Sequence, residues 1–230
     1  SILKVFIILK ILKMKKIVFA LMGLIIISST STFAQLSYGV KAGLNFSKMS
    51  MKVDGESVDD IKFNPGVNFG VFADFGISDI LALETGLTIE KKGFKTKEEE
   101  TSYGVDVEMT SKFNIVYATI PVQARLNFGN FYAMAGPYIG IGLIGKHIVK
   151  VTVDDETEKD DDSIEFGNDA GKSDVKRFDF GFGIGAGYEI TDNLGVRLGY
   201  DLGIANLQPG GDSNYSARNG SISISATYKF

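Results

Sequence analysis

The side chains that could do chemistry in this sequence are mostly isolated charges set among small residues. Lys41, Arg125, Arg177, Arg197 and Lys229 on one side, and Asp74, Glu84, Glu90, Asp179, Glu189 and Asp201 on the other, each interrupt a stretch of alternating apolar and small residues. Such charges, gathered on one face of a sheet and enclosed, must pair, because an unpaired buried charge is costly. They would make either a path for ions or an ionic network that fills the space. There is no Cys, which excludes a disulfide scaffold, a thiolate metal site and a lipidated Cys.

Three other patterns carry a chemical reading. Gly140-Ile141-Gly142-Leu143-Ile144-Gly145 has the spacing of a dinucleotide-binding loop, with acids further on at Asp160 to Asp162. That loop needs a helix to open directly after the glycines, so that the helix N-terminus holds the pyrophosphate. Lys146 to Val153 continues as β-prone sequence, and glycines on the small face of a strand account for the match. Asp154-Asp155-Glu156, Glu158 and Asp160 to Asp162 form an acidic run over 154–162, with a smaller one at Glu98 to Glu100. Several carboxylates could take Ca²⁺, but no EF-hand glycine follows, and the run reads as a solvated loop. His147 is the single His. No catalytic, cofactor-binding or metal site is expected, and no cofactor.

The elements that must position the charges have a period of two. Tyr38, Val40, Ala42, Leu44 and Phe46 alternate with small or polar residues, and so do Val67 to Phe75, Leu81 to Ile89, Val116 to Phe128, Phe131 to Leu143, Phe178 to Ile190, Leu194 to Ile204 and Ile222 to Phe230. Each of these eight segments is about ten residues long, the length of a tilted membrane-crossing strand. Short connections at Ser78-Asp79, Gly129-Asn130 and Thr191 to Asn193 alternate with long polar ones at Met49 to Asn64, Thr96 to Lys112, Lys150 to Val175 and Leu207 to Arg218. Tight turns at one end and long loops at the other are the layout of an outer-membrane barrel. The expected fold is therefore all-β: an eight-stranded antiparallel up-and-down transmembrane barrel.

Volume fixes which face points out. An eight-stranded lumen just admits side chains or one small ligand, and the apolar face carries far too many large residues to fit there. The small face with its few charges does fit, so the apolar face is outside and lipid covers it. Tyr38, Phe46, Phe128, Phe131, Phe178, Tyr188, Tyr228 and Phe230 fall near segment ends, where interfacial girdles form. The enclosed charges are expected to form an ionic plug rather than a conducting path.

Residues 1–34 read as a targeting segment preceding a barrel domain at 35–230. Met14-Lys15-Lys16 is a basic start, Ile17 to Ile27 an apolar run of secretory length, and Thr32-Phe33-Ala34 a cleavage signal, with residues 1–13 upstream of the start. Removing 1–34 takes five of the 24 basic residues and none of the 28 acidic ones. The remainder is net −9, which argues against a nucleic-acid partner.

Tyr38-Gly39-Val40-Lys41-Ala42-Gly43-Leu44-Asn45, Thr119-Ile120-Pro121-Val122, Ala135-Gly136-Pro137-Tyr138 and the closing Ala226-Thr227-Tyr228-Lys229-Phe230 resemble the "porin family" outer-membrane β-barrel domain common in Bacteroidota, similar in plan to OmpA- and OmpX-type barrels. The resemblance implies a bacterial outer-membrane location with both termini periplasmic, and contact with outer-membrane lipid and lipopolysaccharide. It also implies insertion by the barrel-assembly machinery, with Tyr228 and Phe230 resembling its signal. It implies no defined activity. The expected role is non-enzymatic, structural or surface-interacting through the long loops, whose ligand is unknown. The alternatives are a narrow porin for small solutes and a lipid A-modifying barrel. Deacylases of the last kind resemble an outward His-x-Ser pair, and Val149 fills the third position after His147.

Overall fold

A computed structural model describes residues 36–58, 61–102, 105–154 and 156–230. The expected targeting segment and its cleavage point lie outside the described residues. Ten strands follow in order: β1 (Leu36–Val53), β2 (Glu56–Ser57), β3 (Asn64–Gly76), β4 (Leu81–Ser102), β5 (Val105–Phe128), β6 (Phe131–Val153), β7 (Glu156–Ser163), β8 (Phe178–Glu189), β9 (Leu194–Gly203) and β10 (Ser216–Lys229). Eight of them pair antiparallel with their neighbours in the order β1-β3-β4-β5-β6-β8-β9-β10. The ring closes where β10 returns to β1, from Gly39 opposite Lys229 to Lys52 opposite Ser216. β2 and β7 are additions, the one folded onto β1 and the other onto β6. The fold is an eight-stranded antiparallel up-and-down β-barrel, and closure leaves no open sheet edge in hydrocarbon.

Burial is inverted relative to a soluble protein. Val67, Phe69, Phe180 and Leu198 are each more than half exposed, while Asn45, Ser47, Glu84, Lys92 and Asp179 are almost wholly enclosed. Apolar rows run round the outside; on β4, β5 and β6 one begins at Leu81, Leu126 and Ala133 and a later one passes through Ile89, Ala118 and Ile141. From Leu81 to Lys91 the rise is about 33 Å along the strand, or about 25 Å at a tilt of roughly 40°. This matches the apolar band of an outer-membrane barrel.

Three expectations are corrected. Thr96 to Lys112 is not a loop: β4 and β5 stay paired from Leu81 opposite Leu126 out to Ser102 opposite Val105. β6 runs on beside them to Val153, so these three strands are 22, 24 and 23 residues long rather than about ten. The acidic run from Glu156 onward is an exposed strand, β7, paired with β6 rather than a loop. Together β4, β5, β6 and β7 form a sheet that carries β4 about 35 Å past Lys91. Finally, the long segments between β7 and β8 and between β9 and β10 fold back over the barrel mouth instead of standing free. Ile164, Val175, Ala205 and Leu207 pack there with Met49, Ile115, Tyr117 and Ala217 into an apolar plug.

The register of β6 shifts against β5 between Val116 and Tyr117. One extra residue enters β6, so that Leu143 and Ile144 both face outward, at 45% and 68% exposure. Gly140, Gly142 and Gly145 thereby share the inward face. A Cβ on Gly145 would stand 2.8 Å from Ile164, and one on Gly142 would meet the Phe166 ring. The glycine spacing that resembles a nucleotide loop is the seat of the apolar plug.

Candidate functional site

The charged residues of the inward face gather in two layers inside the barrel. Nearer the tight turns, Arg125 donates from Nη1 to Asp74 at 2.8 Å and from Nη2 to Glu189 at 2.5 Å, and its Nε reaches Asn127 at 2.9 Å. Lys229 shares Glu189 at 2.7 Å. Arg197 forms a bidentate pair with Glu84 at 2.6 and 2.7 Å and donates from Nε to the Tyr132 hydroxyl at 3.0 Å. The Tyr132 ring takes the Arg125 guanidinium 3.7 Å from its centre, with that of Arg197 at 5.5 Å. Space for the ring comes from the facing strand, since any Cβ on Gly187 would run into it. The Arg125 and Arg197 guanidinium groups are each held by two or more oxygen acceptors, a geometry that suits their forked donors.

The second layer lies toward the plug. Lys92 pairs with Glu90 at 3.0 Å and Asp201 at 3.2 Å and sits 4.6 Å over the Tyr138 ring. Thr119 donates to Glu90 at 2.6 Å, and Asn219 to Asp179 at 2.9 Å. Between the layers is a cavity of about 60 Å³, bordered by Lys41, Glu90, Arg197 and Asp201. Lys41 has no carboxylate within 4.0 Å among the described residues.

Ten of the eleven charged residues singled out in the sequence thus line one continuous interior. Arg177 stands apart: it is exposed just ahead of β8, donates to the Gly142 carbonyl at 3.1 Å and stacks 4.7 Å over Phe166 at the plug. Lys92, Tyr132, Tyr138 and Asn219 complete the network and were not anticipated. Lys92 had a signal, because it continues the two-residue step of Glu84 and Glu90 along β4.

His147 lies on the projecting sheet, where its Nε2 is 2.8 Å from the Ser111 hydroxyl. No carboxylate hydrogen-bonds the ring among the described residues, so the third group that orients a general base is missing. Nor, among the described residues, does any group of three or more His, Asp or Glu stand ready to hold a metal ion, the acidic strand β7 included. Outside the barrel wall, the Asp212 carboxyl is held below its usual range by the backbone N–H groups of Tyr215 and Asn214. Lys146 does the same for Asp161 on β7.

The terminal aromatics close the seam. Phe230 donates its backbone N–H to Tyr38 O at 2.9 Å, and its ring lies 5.6 Å from Tyr38 and 5.5 Å from Tyr228.

A family model described as an outer membrane protein beta-barrel domain matches residues 30–208. Similar solved structures include Ail, the attachment invasion locus protein of Yersinia pestis, at 13% identity over 84% of this chain and 98% of that one, with a TM-score of 0.40. Neisserial surface protein A is 15% identical over 84% and 97%, TM-score 0.36. OprG from Pseudomonas aeruginosa is 16% identical over 86% and 97%, TM-score 0.39. No curated protein sequence matches the chain. The matched span runs from ahead of β1 through β9 and takes in most of both charged layers. The chain belongs to the outer membrane protein β-barrel domain family, and it is an integral β-barrel of the bacterial outer membrane.

Proposed function

We propose that this barrel is non-enzymatic and does not conduct, and that it serves a structural or surface-interaction role through the sheet that β4 to β7 raise beyond the membrane. The observation that carries this reading is the filled lumen. Two salt-bridged layers and an apolar plug stand in series along it, and the 60 Å³ between the layers is room for about four water molecules rather than a solute path. The end with the tight turns, where β1 starts and β10 finishes, faces the periplasm, and the projecting sheet faces outward. Lipid and lipopolysaccharide cover the apolar belt. The barrel-assembly machinery inserts the chain, reading Tyr228 and Phe230.

Planar-bilayer recording tests the closed lumen: the protein is expected to insert without unitary current steps, and steady steps would favour the narrow-porin reading. Protease treatment of intact cells tests the orientation. Cleavage within β7 with the β8–β9 turn at Thr191 to Asn193 protected is the expected pattern.

A further inference from the structure

Lys62, Lys95 and Lys112 stand side by side in one row across three neighbouring chain segments. Lys62 bridges Lys95 through backbone hydrogen bonds of 2.7 and 3.2 Å, and Lys95 is directly opposite Lys112 in the β4–β5 ladder. The row is on the outside of the wall, because Phe94 and Phe113, the alternate residues, pack against the inner plug. Like charges directly opposite one another are destabilising. None of the three lysines has a carboxylate within 4.0 Å among the described residues, whereas nearby Lys97 has two, Glu99 and Glu108, and Lys146 has Asp161. The next members of the row are Ile148 and then Asp161, which is spent on Lys146.

The row's height on the barrel says what would cover it. Lys91, likewise outward and without an acid partner, ends the apolar belt on β4. Lys95 lies four residues further, about 13 Å along the strand and about 10 Å above the belt at the usual tilt. The headgroup layer is about 5–8 Å deep on each side, so the row stands at its outer edge, within a lysine side chain's reach of it. The row spans about 10 Å across its three strands. At the other rim the tight turns carry Asp79 and Asp192 and no Lys or Arg, so the basic surface belongs to one leaflet only.

We propose that Lys62, Lys95 and Lys112 form a binding site for the phosphate groups of an anionic glycolipid in the leaflet at the projecting end, with Lys91 beneath them. The inference rests on the membrane orientation proposed above. Phosphate oxygens would lie between the ammonium groups and relieve the repulsion along the row, while the acyl chains continue down the apolar belt past Ile144 and Val116.

The test uses the full chain refolded in an uncharged detergent, with bisphosphorylated lipid A and dephosphorylated lipid A as probes and native mass spectrometry as the readout. The wild type is expected to retain the bisphosphorylated lipid and not the dephosphorylated one. Each Lys→Gln replacement is expected to weaken retention about fivefold, and the triple Lys→Arg variant to keep it. Without lipid, Lys62→Gln/Lys95→Gln/Lys112→Gln should be at least as stable as the wild type, since its repulsion is gone. Equal retention of both lipids, or unchanged retention in Lys112→Gln and the triple Gln variant alike, would overturn the site. Loss of the heat-modifiable gel shift in the wild type would instead overturn the barrel reading on which the site rests.

Discussion

Glu84 and Arg197 face each other across the lumen from β4 and β9, 113 residues apart in the chain, and join through two hydrogen bonds of 2.6 and 2.7 Å. Both side chains are enclosed. Truncating one member leaves the other charged and without water, so Glu84→Ala is expected to cost about 3–5 kcal/mol. Replacing both, as Glu84→Leu with Arg197→Met, should cost clearly less than the single change. Lys146→Ala, which removes the exposed pair with Asp161, should cost about 0–1 kcal/mol. Urea unfolding from lipid vesicles measures all three.

The two faces of the wall respond differently to substitution. Leu198 points to lipid from the middle of β9 and is 57% exposed, so Leu198→Arg puts a charge in hydrocarbon at about 2–4 kcal/mol. Its neighbour Gly199 faces the lumen, where a new Cβ would stand 2.8 Å from the Ser223 hydroxyl. That hydroxyl can rotate, and Gly199→Ser should be mild. Gly43→Ser is expected to be severe, because its Cβ would run into the Ile224 carbonyl, which is fixed backbone. Vesicle-folding yields of the three variants rank these costs.

The segment between β9 and β10 should loosen in acid. Asp212 accepts from Asn214 N at 2.8 Å and Tyr215 N at 3.0 Å, and its carboxyl is depressed by those bonds. A depressed carboxyl adds stability that is fully present above the unfolded-chain value of about 3.9 and lost as pH falls through the lower folded value. Amide exchange at Asn214 and Tyr215, corrected for intrinsic rate, should therefore accelerate on acidification, and Asp212→Asn should remove the pH step.

The proposed assembly role of Phe230 separates from packing. Its side chain is exposed on the outer face beside Tyr38 and Tyr228, and loss of such an aromatic contact is worth about 0.5–1.5 kcal/mol. Phe230→Ala is expected to refold in detergent at near-normal yield yet fall sharply in the outer-membrane fraction of cells. Equal losses in both measurements would reduce Phe230 to packing.

The eight strands, their faces and the three tight turns were legible because apolar and small residues alternate wherever one side meets lipid. The same alternation exposed Asp74, Glu84, Arg125 and Arg197 as enclosed charges. It failed where both faces meet water. In Thr96 to Glu100 and in β7 polar residues occupy both phases, so paired strand looks like loop. The plug was hidden for a different reason: Ile164 with Phe166, Val175, and Ala205 with Leu207 come in runs too short to show a period. Lys92 was obscured by Lys91, since two adjacent lysines suggest a strand's end rather than one residue in each phase.

The extra residue at Leu143 works like a reading-frame shift made in space. Below it even-numbered residues of β6 point inward, and above it odd-numbered ones do, so Gly145, His147 and Val149 share a face with Tyr138 only because of that insertion. The strand therefore carries two frames, one set by lipid and one set by the plug, and a single position keeps them compatible. Deleting Leu143 would only straighten the strand, whereas inserting one residue directly after Ile144 would spare every residue that binds, pairs or packs, yet would turn Lys146 and Ile148 toward the plug and Gly145 and His147 away from it. The plug and the membrane-crossing half of β6 are consequently free to vary in composition, but not independently in length.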